Sequence, residues 1–221
     1  MSEELELRLA WDAVAARGTN PRRAESVFED IVSRHRQPHR RYHGLRHVVW
    51  VVRHVHELAE QAGPIDVPVA LAAAFLHDAI YEPTADDNEE RSAQLAINQL
   101  GAIGWPDEDV ELAASCVLAT AGHFDDPDAG EDDGTAARCR AIVLDADLAV
   151  LGADPAAYQA YATGVRAEYG HVDEATWRVR RSAVLQRLLA RERLYLTAPA
   201  REWWEARARA NLAAELSSLP G

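Results

Sequence analysis

The dipeptide His77-Asp78 is the first feature that could do chemistry, because it follows an almost unbroken apolar run that begins at Val69. An apolar run of this kind predicts a helix buried on most of its faces. An imidazole and a carboxylate near the end of such a helix are costly unless another group compensates them. A divalent metal ion would do so. The dipeptide alone is a weak indication in a chain with nine histidines, so the hypothesis depends on the other residues that point to it.

Two further histidines precede this run. His43 and His47 are four residues apart at the start of a predicted helix that continues through Leu58. Four-residue spacing places two side chains one turn apart, so both imidazoles can reach the same cavity. His54 lies on the same edge of the helix, where an ordinary polar position is the better interpretation.

A pair of aspartates lies in a later helix that is predicted to begin at Thr135. Asp145 and Asp147 are two residues apart and point about 200° apart on a helix, so both cannot face one metal ion. On the helical wheel Asp147 lies among apolar side chains, whereas Asp145 has smaller and more easily solvated neighbours. A carboxylate in an apolar position needs a cation more. We therefore favour Asp147 as a ligand, and Asp145 stays open as the alternative.

Glu89 and Glu90 follow the predicted helix start at Asn88. Acidic residues in the first turn of a helix ordinarily complement the helix dipole, and that role suffices for Glu90. Glu89 follows Asp78 closely enough to lie near the same centre. If the start of this helix faces a metal ion, Glu89 could act as a general acid or base.

The elements that must position these residues all have helical patterns, and no alternating β-branched run is long enough to predict a sheet. We expect one all-α domain over residues 1–221. The net charge of −13 argues against nucleic-acid binding through a basic patch. Without a long apolar span or a signal-peptide pattern, we expect a cytoplasmic protein that does not bind membranes. The two cysteines are expected to be buried thiols.

Five short motifs in order resemble the HD superfamily of metal-dependent phosphohydrolases. They are most similar to a bacterial subgroup of predicted HD-family phosphohydrolases. The similarity covers a motif-bearing core at about residues 40–170. The motifs are RRYHGLRH, FLHDAIYEP, DDNEERSA, ATAGH and LDADLAVLG.

The resemblance implies a helical bundle of the HD-domain type that holds a divalent metal ion. Two imidazoles and two carboxylates suit Mn²⁺, Fe²⁺, Co²⁺, Ni²⁺ or Mg²⁺ better than a sulfur-rich structural zinc site would. The metal ligands that the resemblance implies are His47, His77, Asp78 and Asp147.

The activity that the resemblance implies is hydrolysis of a phosphomonoester, in a nucleotide or another small phosphorylated metabolite. A metal ion would polarise a phosphoryl oxygen and lower the pKa of a water molecule. Asp78 could also orient that water, and Glu89 could act as the general acid or base. The side chains expected to contact the phosphate are His43, Arg91, His123 and Arg166.

Two alternatives remain. A dinuclear iron oxygenase on the same scaffold would need extra ligands, which His43 and His123 could provide. A non-catalytic module would keep the metal for structure or ligand binding, and should lack a carboxylate such as Glu89. The sequence leaves five points open. They are the native metal, the number of metal ions, the substrate, whether the protein forms a homodimer, and the role of the acidic segment 124–134.

Overall fold

The computed structural model describes residues 2–122 and 134–219, and these residues form ten α-helices and no β-strand. The prediction of an all-α fold is confirmed. Two short 3₁₀ segments, Thr120–Gly122 and Ala149–Gly152, continue α6 and α7. The helices are α1 (Glu3–Arg17), α2 (Pro21–His35), α3 (Leu45–Gln61), α4 (Val67–Leu76), α5 (Asn88–Ile103), α6 (Asp107–Ala119), α7 (Thr135–Leu148), α8 (Pro155–Glu168), α9 (Glu174–Ala190) and α10 (Ala198–Ser218).

Helix α4 is the central element, and it packs against α1, α3, α5, α6 and α7. Every residue from Val69 to Leu76 is fully buried, as the apolar run predicts. The helix begins at a side-chain cap, because the Asp66 carboxylate accepts the N–H of Val69 at 3.2 Å. It ends at Leu76, immediately before the His77-Asp78 pair, which therefore lies where the apolar run stops.

Helices α3 and α7 pack against each other and against α4. The apolar stripe of α3 is buried, and the helix continues to Gln61, three residues beyond its predicted end. Helix α7 runs from Thr135 to Leu148, so Asp147 lies in its last turn. The start of α3, the end of α4 and the end of α7 thus meet in one part of the core.

The three C-terminal helices are joined by buried polar contacts. The Arg181 guanidinium of α9 donates to both oxygens of Glu215 in α10, at 2.7 and 2.9 Å. The Tyr158 hydroxyl of α8 donates to the same carboxylate. These contacts hold α8, α9 and α10 together beside the end of α7.

One cluster of buried hydrophobic side chains includes members of all ten helices. The single domain over residues 1–221 stays a prediction. None of the described helices combines the length and the apolar composition needed to cross a bilayer.

Gly152 is the position where α10 approaches the 3₁₀ segment most closely. A Cβ atom at Gly152 would lie 2.3 Å from the Cβ of Trp204 and 2.9 Å from its Cα. We expect Gly152→Ala to lower the free energy of unfolding by about 1–3 kcal/mol, because the backbones must move apart. Thermal or urea unfolding measures this change.

Gly101 provides the matched control. It lies within α5 and has no atom within 4 Å of the Cβ position. Gly101→Ala should leave stability unchanged or raise it by up to about 1 kcal/mol. Equal destabilisation by both substitutions would contradict the close approach at Gly152.

Candidate metal centre

Side chains from α3 and from the end of α4 converge on one point in the core. The Nε2 atoms of His47 and His77 are 3.0 Å apart. Asp78 Oδ2 lies 3.3 Å from Nε2 of His77 and 3.5 Å from Nε2 of His47. The ligand atoms of the three residues all lie within 4.8 Å of one another. His47, His77 and Asp78 could therefore hold a metal ion.

Asp147 reaches the same point from α7. Its Oδ1 atom lies 3.1 Å from Nε2 of His47 and 3.5 Å from Nε2 of His77. The structure thus brings all four side chains that the sequence proposes as ligands into one cluster, which we call the HHDD cluster (His47, His77, Asp78 and Asp147). Whether Asp147 binds metal stays a prediction.

Asp145 has a different environment from the one that the helical wheel indicates. It is 1% exposed, and its oxygens accept the backbone N–H groups of Leu196 and Thr197 at 2.7 Å each. The side chain of Asp147 is 15% exposed. The expectation that Asp145 is the more solvated of the two is wrong, because the segment before α10 covers it. A wheel of α7 alone cannot show that long-range contact.

The tautomer of His77 favours metal binding through Nε2. Its Nδ1 atom lies 3.0 Å from the carbonyl oxygen of Ala74, so Nδ1 carries the hydrogen. In the neutral ring with this tautomer, the lone pair of Nε2 faces the HHDD cluster. The other ring nitrogen of His47, Nδ1, is buried without a hydrogen-bond partner among the described residues. Two imidazole nitrogens and carboxylate oxygens facing one point are a donor set that suits a divalent transition metal.

The electrostatics of the cluster also favour a cation. Burial by itself would lower the pKa of His77, but the carboxylates of Asp78 and Asp147 raise that pKa well above its ordinary value. Burial would raise the pKa of Asp78, yet the imidazoles of His77 and His43 lower it. For His47 burial dominates and lowers the pKa. The carboxylate of Asp78 therefore stays ionised and attracts positive charge to this point.

Arg40 supports the cluster from behind, although its sequence context indicates only a basic turn. The guanidinium is buried, and Nη1 donates to the carbonyl oxygens of His43 at 2.9 Å and Asp78 at 2.7 Å. Nη2 donates to the carbonyl oxygen of Ala79 at 3.2 Å. Arg40 thus fixes the turn that carries Asp78 against the segment that precedes α3.

Glu168, at the end of α8, is a second supporting residue that the sequence does not single out. Its Oε1 atom accepts the backbone N–H groups of Arg41, Tyr42 and His43 at 2.7, 2.7 and 3.0 Å. Its Oε2 atom accepts the Nδ1–H of His43 at 2.6 Å and the Tyr81 hydroxyl at 2.9 Å. This buried carboxylate sets the orientation of the His43 ring beside the cluster.

A cavity of about 520 Å³ adjoins the HHDD cluster. Asp78, Asp147, His43 and Glu89 all line it, so the two residues proposed as catalytic face the same space. Its volume lies within the range of about 300–1,000 Å³ that is usual for small-molecule sites. Helices α8 and α9 also contribute residues to the cavity lining, among them Val165 and Trp177.

The structure does not bring Arg91 and Arg166 to this cavity. Arg91 is exposed and pairs with Asp87 one turn away, at 3.4 Å. Arg166 donates to the carbonyl oxygens of Tyr169 and Val172, at 2.8 and 3.1 Å. Helical spacing and these local acceptors hold both guanidinium groups elsewhere. His123, the other residue expected to contact phosphate, lies outside the described residues, as does most of the acidic segment 124–134.

The cavity has other cations, both from α9. Arg181 is neutralised by Glu215, as described above. Arg180 is exposed at the cavity lining and makes no hydrogen bond or ion pair with any residue in the described part of the chain. Arg180 is therefore available to an anionic ligand. The only sequence signal for this role of Arg180 is its place in an amphipathic C-terminal helix, and other arginines of the C-terminal helices have the same signal.

Comparisons of the chain with protein-family models, with curated proteins and with solved structures returned no match. The resemblance to the HD superfamily rests on the five motifs.

We predict that His77→Ala loses its bound metal, because the substitution removes one of two imidazole ligands. Metal content after loading and dialysis measures this loss, and circular dichroism measures helix content, which should be retained. His54→Ala is the matched control, since the Nδ1–H of His54 donates to the Trp50 carbonyl oxygen and His54 does not belong to the cluster. Equal metal content in wild type and His77→Ala would contradict the assignment.

The two aspartates of α7 should separate metal binding from stability. Asp147→Ala should lose metal and keep its melting temperature. Asp145→Ala should keep metal and lose about 1–3 kcal/mol of stability, because two buried N–H groups lose their acceptor. Metal analysis and denaturant unfolding on both variants distinguish the two roles. The reverse pattern would move the ligand to Asp145.

Proposed function

We propose that the protein is a metal-dependent phosphohydrolase of the HD type that cleaves a phosphomonoester. The observation that carries this proposal is the convergence of His47, His77, Asp78 and Asp147 at one side of a cavity large enough for a small metabolite. A divalent ion bound there would polarise a phosphoryl oxygen and lower the pKa of a water molecule. The five motifs in their HD-like order also support the proposal.

Asp78 and Glu89 have separate tasks in this proposal. Asp78 directs Oδ2 towards the two imidazoles, which leaves Oδ1 to accept a hydrogen bond from the attacking water. Glu89 lines the same cavity from the first turn of α5. Its carboxylate can take the proton of that water, as a general base does.

Arg180 and His43 are suited to bind the phosphate. Arg180 is the cavity-lining arginine whose charge no described carboxylate neutralises, so it can pair with a phosphate oxygen. Burial would lower the pKa of His43, but Asp78 and Glu168 raise it, so the ring can be an imidazolium whose Nε2–H donates to a phosphoryl oxygen. Arg180 replaces Arg91 and Arg166 as the expected phosphate contact.

A dinuclear iron oxygenase is the second candidate, and the contact between Glu168 and His43 favours it. Metal-binding histidines commonly donate their second ring N–H to a carboxylate, as His43 does at 2.6 Å. His43 could then bind a second metal ion. Metal stoichiometry and oxygen uptake separate the candidates, because a mononuclear phosphohydrolase binds one ion per chain and consumes no oxygen.

The decisive experiment is a panel of phosphomonoesters and nucleotides offered to the protein loaded in turn with Mn²⁺, Fe²⁺, Co²⁺, Ni²⁺ or Mg²⁺. We expect release of inorganic phosphate that stops on chelation and returns when metal is added back. A metal-loaded protein that hydrolyses no ester in the panel would overturn the proposed function.

Glu89→Gln is the variant that tests the catalytic assignment. The substitution should keep metal and fold, and lower kcat by roughly 10²–10⁴, the usual contribution of a general acid–base group. Glu90→Gln is the matched control, because Glu90 is exposed in the same helical turn and does not line the cavity. If kcat is the same in both variants, Glu89 is a helix-start residue and Asp78 acts without it.

A further inference from the structure

Part of the lining of the cavity beside the HHDD cluster is apolar, and we call this part the apolar wall. We define this wall by six side chains that line the cavity from the end of α7 to the end of α9. Because they line the same cavity as Asp78 and Glu89, these side chains are available to the alcohol part of a substrate whose phosphate lies at the cluster. The wall consists of Leu151, Val165, Val172, Trp177, Val184 and Leu188.

Beside the wall Arg181 has partners within the protein, whereas Arg180 is the cation assigned to the phosphate. Arg181 donates to both oxygens of Glu215 and, at 3.3 Å, to the Tyr161 hydroxyl. A sugar hydroxyl placed here would give up its hydrogen bonds to water, while the Arg181 guanidinium already donates to Glu215 and Tyr161. An unsatisfied buried polar group opposes binding, whereas an alkyl or aryl group has no such requirement.

The wall is also held in shape from behind. The Arg166 guanidinium lies 5.0 Å from the centre of the Trp177 ring, and the Tyr169 ring lies 5.6 Å from it. Arg166 is itself fixed by the carbonyl oxygens of Tyr169 and Val172. Arg166 therefore supports the wall on the side away from the substrate. A preformed apolar surface loses less entropy on binding than one that must reorganise.

From these contacts we infer that the substrate is the phosphate ester of an apolar alcohol, whose alkyl or aryl group lies against the apolar wall. The inference rests on the proposed phosphohydrolase function. It narrows the substrate from phosphorylated metabolites in general to amphipathic ones.

Alkyl phosphates test the inference, because ethyl, propyl, butyl and hexyl phosphate share the same leaving-group chemistry. With the metal-loaded protein we expect kcat/KM to rise about three- to fourfold per added methylene, the usual effect of burying one CH₂. The kcat/KM for propyl phosphate should exceed that for glycerol 1-phosphate, which differs from it by two added hydroxyl groups. The inference would be overturned if kcat/KM for glycerol 1-phosphate equalled or exceeded that for propyl phosphate. It would also be overturned if kcat/KM for AMP equalled or exceeded that for hexyl phosphate.

A matched pair of valines on α9 assigns the effect to the wall. Val184 lines the cavity, whereas Val179 is 71% exposed and does not. Val184→Asn should flatten the dependence of kcat/KM on chain length, because it places a polar amide in the wall. Val179→Asn should leave the dependence intact. An unaltered dependence in Val184→Asn, with normal circular dichroism, would contradict the position given to the alkyl group.

Binding distinguishes a failure of this inference from a failure of the proposed function. If the loaded protein hydrolyses no ester, the function is wrong, and calorimetry with hexyl- and ethylphosphonate still tests the wall. Hexylphosphonate should bind at least about tenfold more tightly, since four more methylenes are buried. Equal affinities for the two phosphonates would overturn the inference whatever the activity.

Discussion

The burial of ionisable groups in a helical core is the constraint on which this structure depends. His47 and His77 are almost fully buried, and the carboxylates of Asp78 and Asp147 lie against them. Such a group of charges is stable in a core only when opposite charges meet and the backbone around them is fixed. The fully buried α4 brings the pair to this depth, and Arg40 fixes the turn that follows it.

The parts of this arrangement that local pattern encodes could be predicted from the sequence. The apolar run of α4 indicates its burial, and the geometry of a helix shows that only one of Asp145 and Asp147 can face the cluster. The reason for choosing Asp147 was wrong, because the cover over Asp145 comes from residues 196 and 197, some fifty positions away. Glu168 and Arg180 could not be identified for the same reason: each acquires its role through long-range packing, and neither has a distinctive motif.

The C-terminal helices combine stability and binding in one set of contacts. The pairing of Arg181 with Glu215 joins α9 to α10 and also occupies the polar groups that would otherwise face the cavity. Arg166 likewise supports Trp177 while its own donors are satisfied. The resulting cavity is lined both by carboxylates of the HHDD cluster and by hydrocarbon side chains. Helix α9, which a motif search would treat as part of an extension, therefore contributes directly to the cavity lining.

Glu168 links two distant parts of the chain, since it accepts the backbone N–H groups of residues 41–43, more than 120 positions earlier. Contacts between residues so far apart form slowly, because a long loop must close before they contribute. A chain emerging from the ribosome has made His47, His77 and Asp78 long before Glu168. The contacts that orient His43 beside the HHDD cluster therefore form only after α8 has been synthesised, so the complete geometry of the cluster is a late product of folding rather than a nucleus for it.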